Sequence, residues 1–293
     1  MGSIWLKDGR QLTYREYGDP DGAPVLFIHG FSDSSTLRHY DDAYTATLGA
    51  RIIAPDLPGI RGSSYDPQRT LLRWADDAIE LVDALGLERF ALVAISSGCS
   101  HASALASKLP DRVTRLSFAA PTGRYDRPGM ESYVVADELK AILWLNRWGL
   151  AFLLRPIYAY LSYKAKKDPD KFGKETAFSY PSDAEAMLES PEQFAIFTQN
   201  FLEGFGVGGV GFYGMTRSVM RPWGFELSDV LQPVTIFYGD KSDLIRSEVS
   251  LDVAAQLPNC TTRLWPDAGR YSLVRRDCWT QLISAALAPV QSK

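Results

Sequence analysis

The stretch Phe90-Ala-Leu-Val-Ala-Ile-Ser96-Ser-Gly98 decides how this chain is interpreted. An apolar run ends at Ile95, and small residues lead from it into a segment with helical character. This order is typical of a nucleophile elbow, a sharp strand-to-helix turn that exposes a serine and is written G-x-S-x-G. Ala94 replaces the first glycine, a mild change because a small side chain suffices there. We therefore expect Ser96 to be a nucleophile, the alternative being a serine that only caps the helix.

A serine in such a turn normally depends on an Asp or Glu and then a histidine, both later in the chain. The histidines are His29, His39 and His101, and none follows residue 101. We expect His29, which directly follows a strand, to be structural and His101, in the helix after Ser96, to point elsewhere. His39 is the freest of the three. The sequence thus predicts the scaffold and argues against its usual reaction.

Length and composition indicate one large α/β domain, or a core with an inserted subdomain. Of the 293 residues, 46% are apolar, which is enough for a substantial core. The net charge of −4 is modest and the basic residues are scattered, so we expect no nucleic-acid binding. The three cysteines have no C-x-x-C spacing, which argues against a zinc site or a disulfide scaffold.

Targeting and membrane signals are also weak in this sequence. The N-terminus lacks the basic and apolar regions of a secretory signal. The most apolar stretch, residues 141–161, is interrupted by Arg147, Arg155 and Pro156, so its uncharged runs are shorter than the roughly 18 residues of a membrane span. We expect a soluble, cytoplasmic protein with no membrane span. The sequence indicates no oligomeric state.

Alternating strand and helix patterns predict a mostly parallel sheet covered on both faces. Asp8-Gly9 is a hairpin turn signal, and the later strands are expected at 24–28, 50–54, 90–95, 113–119, 233–238 and 262–265. A helix capped by Thr70 is expected to end at Gly86. A further helix is expected at about 36–48, and one after Ser96 should stop before Pro110.

The alternation stops near Pro121 and resumes at Pro233. Between them we expect helices at about 131–144, 149–163, 182–189 and 191–201. A helical insertion between two strands is best interpreted as a cap over the edge of the sheet. The sequence thus predicts a core domain of residues 1–121 and 228–293, and a helical cap subdomain of residues 122–227.

Further motifs follow the predicted strands: His29-Gly30, Asp56-Leu-Pro-Gly59, Gly239-Asp-Lys-Ser-Asp243 and Asp267-Ala-Gly-Arg270. With these motifs the chain resembles the α/β-hydrolase fold superfamily, from about Leu12 to the C-terminus. The resemblance implies an α/β fold with a mostly parallel eight-stranded sheet flanked by helices and an inserted helical cap.

Site residues follow from the same resemblance. Ser96 takes the nucleophile position, the backbone N–H groups of Phe31 and Ser97 would form the oxyanion hole, and Asp243 matches the acid. Arg270 stands where the family places the histidine, and an arginine cannot accept a proton. We expect Arg270 either to form an ion pair with Asp243 or to act as an electrophile that polarises a carbonyl or holds an enolate.

Aromatic and aliphatic residues of the cap predict a pocket for a small, largely apolar molecule. The expected substrate contacts are His29, Trp144, Trp148 and Tyr271. No cofactor and no metal are expected. The segment from Gly204 to Gly209 satisfies G-x-G-x-x-G, but it lacks the strand–turn–helix context of a dinucleotide site, so we interpret it as a hinge in the cap.

Three functions remain open on this sequence. The leading hypothesis is an atypical enzyme, a cyclase, lyase or isomerase of specialised metabolism, because the triad lacks its histidine. The second is a serine hydrolase of esters or other acyl compounds that uses a non-standard base. The third is a ligand-binding protein without turnover. The residues do not identify the substrate.

Overall fold

The computed structural model describes residues 1–206 and 208–289, and eight strands within them form one sheet. The strands are β1 (Gly2–Trp5), β2 (Gln11–Gly18), β3 (Ala23–Ile28), β4 (Ala50–Pro55), β5 (Phe90–Ile95), β6 (Val113–Ala119), β7 (Val234–Gly239) and β8 (Cys260–Trp265). Their order is β1-β2-β4-β3-β5-β6-β7-β8. The β1–β2 and β2–β4 pairs are antiparallel and the others are parallel. The predicted fold class is confirmed.

Strand β5 lies in the interior of the sheet and is buried along its whole length. Its side chains alternate between two cores: Leu92 belongs to one apolar cluster, and Val93 belongs to the other. The first cluster includes Trp74 and the second includes Trp279. Burial on both faces explains the uninterrupted apolar run before Ser96, since each face of a parallel sheet is covered by helices.

The core helices are α1 (Asp42–Thr47), α2 (Leu71–Ala84), α3 (Gly98–Lys108), α10 (Glu248–Gln256) and α11 (Arg276–Leu287). The Thr70 side chain accepts a hydrogen bond from Arg73 N and caps α2 as expected. Helix α1 is shorter than predicted because Asp41, six residues before Thr47, is its N-cap. The residues before Asp41 form turns rather than a helix.

Between β6 and β7 lie the cap helices: α4 (Asp137–Arg147), α5 (Leu154–Lys167), α6 (Pro169–Ser179), α7 (Pro181–Met187), α8 (Pro191–Phe205) and α9 (Val210–Val219). Helices α6 and α9 were not predicted. Proline at the first position starts α6, where its missing N–H is harmless, and α9 contains Gly211 and Gly214, which weaken a helical pattern. The division into core and cap stays a prediction; residue 207 of the cap and residues 290–293 of the core lie outside the described residues.

No helix in the described part of the chain is both long enough and apolar enough to cross a membrane.

Candidate active site

Ser96 lies in a strained turn between β5 and α3. Its φ of 54° is in the left-handed region, which costs a non-glycine residue on the order of 1–3 kcal/mol and is found most often at functional sites. Gly98 permits the turn, since a Cβ there would lie 2.4 Å from the carbonyl oxygen of Ile28. Ser32 and Ala120 also have positive φ, and both line the same pocket as Ser96. The backbone strain is thus concentrated around the serine.

The predicted oxyanion hole has the necessary donors. In the described part of the chain, the backbone N–H groups of Phe31 and Ser97 donate to no protein acceptor. Phe31 lies beside Gly30, where a Cβ would be 3.0 Å from the Cβ of Ser96. The loop after β3 and the elbow are therefore in close approach. Two such donors beside a nucleophile are suited to stabilising a negatively charged oxygen.

The histidines bond elsewhere. Nδ1 of His29 donates to Gly30 O at 3.1 Å, and its Nε2 accepts from Leu57 N at 3.1 Å. Nδ1 of His101 donates to Ser97 O at 3.0 Å, and Nδ1 of His39 donates to Val274 O at 2.8 Å. Burial lowers the pKa of His29 and His101, so both are neutral. Across residues 1–206 and 208–289, no imidazole is hydrogen-bonded to Ser96.

Arg270 lies beside Ser96 and is paired with Asp33. Its Nη2 donates to Asp33 Oδ2 at 2.5 Å and to Phe31 O at 2.9 Å. A Cβ added to Gly30 would lie 3.0 Å from Nη2 of Arg270 and 3.0 Å from the Cβ of Ser96. The distance between these two atoms is therefore at most twice 3.0 Å. Burial opposes the charge of Arg270, but neighbouring acidic groups including Asp33 outweigh it and raise the pKa. The guanidinium is therefore a fixed cation next to the serine.

The expected ion pair between Arg270 and Asp243 is wrong. Oδ2 of Asp243 accepts instead from the backbone N–H of Ser182 at 3.0 Å and from its hydroxyl at 2.5 Å. The next cap residue, Asp183, accepts from Tyr271 N at 2.6 Å. The start of α7 thus contacts both loops that the resemblance assigns to the triad. The physical reason is that Asp33, contributed by a different loop, supplies the counter-charge of Arg270.

Ser96 opens into a pocket of about 520 Å³ between cap and sheet. Apolar cap side chains form most of its wall: Leu139, Ile142, Leu145, Leu161, Phe172 and Phe212. Ser96, Arg270 and Phe31 lie in the same lining. Lys164 and Glu175, an exposed ion pair with 2.8 Å between Nζ and Oε2, mark the end that faces solvent. A volume of this size suits one small organic molecule.

A family model described as alpha/beta hydrolase fold matches residues 23–277. The chain belongs to the α/β-hydrolase fold family. Over 126 residues it is 34% identical to a 2-hydroxymuconate semialdehyde hydrolase of Pseudomonas putida, which covers 42% of this chain and 44% of that protein. Over 109 residues it is 41% identical to an epoxide hydrolase of Caballeronia sordidicola, a match that covers 36% of this chain and 32% of that protein. These matched stretches span less than half of each relative, and both relatives are hydrolases by name.

The similarity of fold extends over almost all of this chain. An esterase structure from Exiguobacterium antarcticum superposes with a TM-score of 0.72, covering 98% of this chain and 100% of that one, at 18% sequence identity. Identity this low shows the shared fold alone. The architecture of this α/β-hydrolase family member is therefore established independently of its chemistry.

The four expected substrate contacts lie outside the pocket lining of this hydrolase-fold protein, and these predictions need correction. Trp144 and Trp148 are 55% and 65% exposed on the cap surface, because α4 turns Leu145 and Ile142 inward instead. His29 is fully buried beneath the loop after β4. Tyr271 is buried, and its hydroxyl donates to Asp33 Oδ1 at 2.8 Å. Tyr271 therefore positions the ion pair.

A buried network that the sequence did not indicate connects cap and core. Nδ2 of Asn200 donates to Asp33 Oδ1 at 2.9 Å, and Asn200 Oδ1 accepts from Ser34 N at 2.8 Å. Glu203, one helical turn further along α8, accepts from the Ser34 hydroxyl at 2.9 Å and from Thr36 Oγ1 at 2.6 Å. The spacing of two polar residues on a mostly apolar helix face was the available signal.

The glycine-rich segment has a packing role at its first position. A Cβ at Gly204 would lie 2.1 Å from the carbonyl oxygen of Ser32, so α8 directly contacts the loop after β3. Gly209, with φ of 70°, begins α9 against Tyr158. Val207 within this segment lies outside the described residues. Among the described residues, no group of three or more His, Cys, Asp or Glu side chains converges as a metal site.

Proposed function

We propose that this protein is a serine hydrolase of esters or related acyl compounds that acts without an imidazole base. The observation that carries the proposal is Ser96 itself: it keeps a strained turn in the lining of an apolar pocket, beside two free backbone N–H groups. Backbone strain of this kind has a cost in stability, and it has a use where a nucleophile must be presented. The hydrolase names of the partly matched relatives support the same reaction class.

In this reaction, Ser96 Oγ attacks the acyl carbonyl and the developing oxyanion accepts from the N–H groups of Phe31 and Ser97. The alcohol leaves, and water then hydrolyses the acyl-serine. Asp33 is a poor base, because its carboxylate already accepts from Arg270, Tyr271 and Asn200. The serine proton therefore passes to hydroxide from solvent. Loss of a triad member lowers the rate by about 10⁴–10⁶, so turnover is slow.

A fluorophosphonate probe with intact-mass detection tests this proposal. We expect one label on the wild-type protein, none on Ser96→Ala, and an unchanged label on Ser103→Ala, a buried serine of α3 whose hydroxyl donates to Cys99 O at 2.8 Å. The labelling rate should rise steadily with pH, without the inflection near neutrality that an imidazole base gives. Absence of labelling on Ser96 over hours at high pH would refute the hydrolase.

A second candidate is favoured by the fixed cation of Arg270 beside the oxyanion donors. An atypical cyclase, lyase or isomerase would use this cation to hold an enolate and would not need an acyl-serine. Arg270→Ala separates the two, since it abolishes such a reaction but leaves Ser96 labelling detectable. Ligand stabilisation with neither labelling nor product would identify the third function, a binding protein without turnover.

A further inference from the structure

Three buried polar groups of the pocket have no protein partner. Nε of Arg270, the hydroxyl of Tyr125 and Oγ1 of Thr122 are all inaccessible atoms without a hydrogen bond, and the three residues are at most 8% exposed. All three line the pocket that contains Ser96. The Thr122 hydroxyl is close enough to Tyr125 to act on its pKa, although neither oxygen has a well-formed hydrogen bond. Each buried group without a partner costs free energy, and a ligand that pairs with these groups recovers part of that cost.

The chemistry of the three groups defines what they bind. Arg270 is a donor with no acceptor. Burial raises the pKa of Tyr125, so its phenol stays protonated and can donate, as can the Thr122 hydroxyl. The two glutamates of the described lining, Glu138 and Glu175, are both exposed. The inner end of the pocket is therefore a set of donors with one positive charge, surrounded by apolar wall.

We propose that the ligand carries a carboxylate, held by Arg270, Tyr125 and Thr122, with its apolar body against the cap. The ion pair with Asp33 uses Nη2 of the guanidinium, whereas Nε has no protein partner. Charge-assisted hydrogen bonds to a carboxylate are stronger than those to a neutral carbonyl. The inference deepens the proposed function by naming the substrate class: acyl compounds that also bear a free carboxylate.

Binding is measured on the Ser96→Ala protein, so turnover does not interfere. Phenylbutyrate and its neutral amide serve as matched probes in calorimetry. We expect the carboxylate to bind at least tenfold more tightly than the amide. Arg270→Met should remove this preference, and Tyr125→Phe and Thr122→Val should each reduce it several-fold. Tyr158→Phe, a pocket tyrosine whose hydroxyl faces Thr216 at 3.4 Å, should leave the ratio unchanged.

Equal affinity for acid and amide, or no binding of either, would overturn the carboxylate site. The two proposals fail separately. Labelled Ser96 without a carboxylate preference refutes the site alone, whereas a carboxylate preference without labelling refutes the hydrolase alone. Thermal unfolding of each variant confirms that it is folded.

A second inference rests on the outer surface of the cap. Half of the sixteen large apolar side chains that are exposed in the described residues lie between positions 144 and 178. We call them the aromatic face: Trp144, Trp148, Phe152, Leu153, Ile157, Tyr160, Tyr163 and Phe178. On α5 they recur at helical spacing, since Ile157, Tyr160 and Tyr163 are three residues apart. Such a concentration of exposed apolar side chains in one segment of the cap is typical of an interaction site.

Charge identifies what the aromatic face contacts. Residues 141–178 contain seven basic and three acidic residues, in a chain whose net charge is −4. Lys167 lies 5.8 Å from the ring centre of Tyr163, so apolar and basic groups share one surface. Two copies meeting through this face would place like charges together. An anionic surface attracts it instead.

We infer that the aromatic face binds an anionic lipid surface, with its rings at the headgroup level and its lysines on the phosphates. Amphipathic helices of this composition lie in the membrane interface. Ile157 and Lys164 belong both to this region and to the pocket lining. The mouth of the pocket therefore opens toward the lipid, where apolar carboxylates accumulate.

Sedimentation with vesicles tests the lipid contact. We expect binding to phosphatidylcholine vesicles that contain phosphatidylglycerol, and at least tenfold weaker binding to pure phosphatidylcholine. Trp148→Ser and the pair Lys166→Glu/Lys167→Glu should each weaken binding at least fivefold. Trp5→Ser, on the 73% exposed tryptophan of β1, is the matched control and should have no effect. No sedimentation with either vesicle, or a dimer in light scattering that Trp148→Ser dissociates, would overturn the inference.

Discussion

The guanidinium of Arg270 and the carboxylate of Asp33 form a buried ion pair, with 2.5 Å between Nη2 and Oδ2 and side-chain exposures of 8% and 0%. Tyr271 and Asn200 complete the hydrogen bonds of the carboxylate. The same Nη2 donates to Phe31 O, so the pair also fixes the loop after β3. The cation beside Ser96 is therefore a structural part of the site.

Breaking this pair from the Asp33 side should be costly. Asp33→Asn leaves the charge of Arg270 buried and uncompensated, and we expect it to lower the free energy of unfolding by about 3–5 kcal/mol. In the double variant Asp33→Asn/Arg270→Met the uncompensated charge is gone, so part of this loss should be recovered. Urea unfolding of the two single variants and the double variant measures the coupling. Additive losses would show that the two groups do not interact.

Restoring an imidazole should accelerate the chemistry of Ser96. Arg270→His places a proton acceptor beside the serine, and general-base catalysis contributes about 10²–10⁴ in rate. We expect at least a tenfold gain in fluorophosphonate labelling at pH 8, with a new inflection near neutral pH. The gain stays below that of a complete triad, because Asp243 is occupied by Ser182. Arg270→Lys is the matched control and should give no gain.

Asp183 should make stability depend on pH. Burial raises its pKa from 3.8 to about 7, so the folded state retains a proton that the unfolded state releases. Stability from this group is fully present below about pH 4 and is lost as the pH rises to about 7, by a few kcal/mol in total. Asp183→Asn should flatten the unfolding free energy across this range. The exposed variant Asp170→Asn should keep the wild-type slope; a shared slope in all three proteins would contradict the assignment.

Gly204 should tolerate no side chain. A Cβ at this position meets the Ser32 carbonyl oxygen at 2.1 Å, so Gly204→Ala must separate α8 from the loop after β3. We expect a loss of about 1–3 kcal/mol, typical of overpacking, and slower labelling of Ser96. Gly214→Ala in α9 is the matched helical control, since its Cβ would meet the Tyr65 ring at 3.2 Å and the Arg69 side chain at 3.9 Å, and no backbone atom closer than these. Equal melting temperatures for the two variants would exclude this contact.

The sequence predicted the sheet because each strand is an apolar run bounded by turn residues. Strand β6 was placed at its observed bounds, and Thr70 caps α2 as expected. These features depend on local patterns. The turn at Ser96 could also be predicted from local sequence, because only small side chains fit where two segments of backbone approach so closely.

The surroundings of Arg270 could not be predicted, because they depend on tertiary placement. Asp33 reaches Arg270 through a loop in which Ser32 has positive φ, and no pattern in the sequence signals that turn. The cap shows the same limit. Helical spacing predicts α4 but not which of its faces covers the pocket. For this reason the sequence prediction named the outward-facing Trp144, and not Leu145, as a substrate contact.

The contact of α7 with the loops that carry Asp243 and Tyr271 bears on how molecules can enter the pocket. Lifting the cap would break the Ser182–Asp243 and Asp183–Tyr271 hydrogen bonds together, along with the buried bonds of Asn200 and Glu203. We expect such an opening of the cap to be slow, because all these hydrogen bonds must break together. Exchange at the solvent-facing end of the pocket, beside Lys164, requires only that long side chains change rotamer, on the nanosecond scale. We therefore expect ligands to enter and leave through this end of the pocket while the cap remains closed.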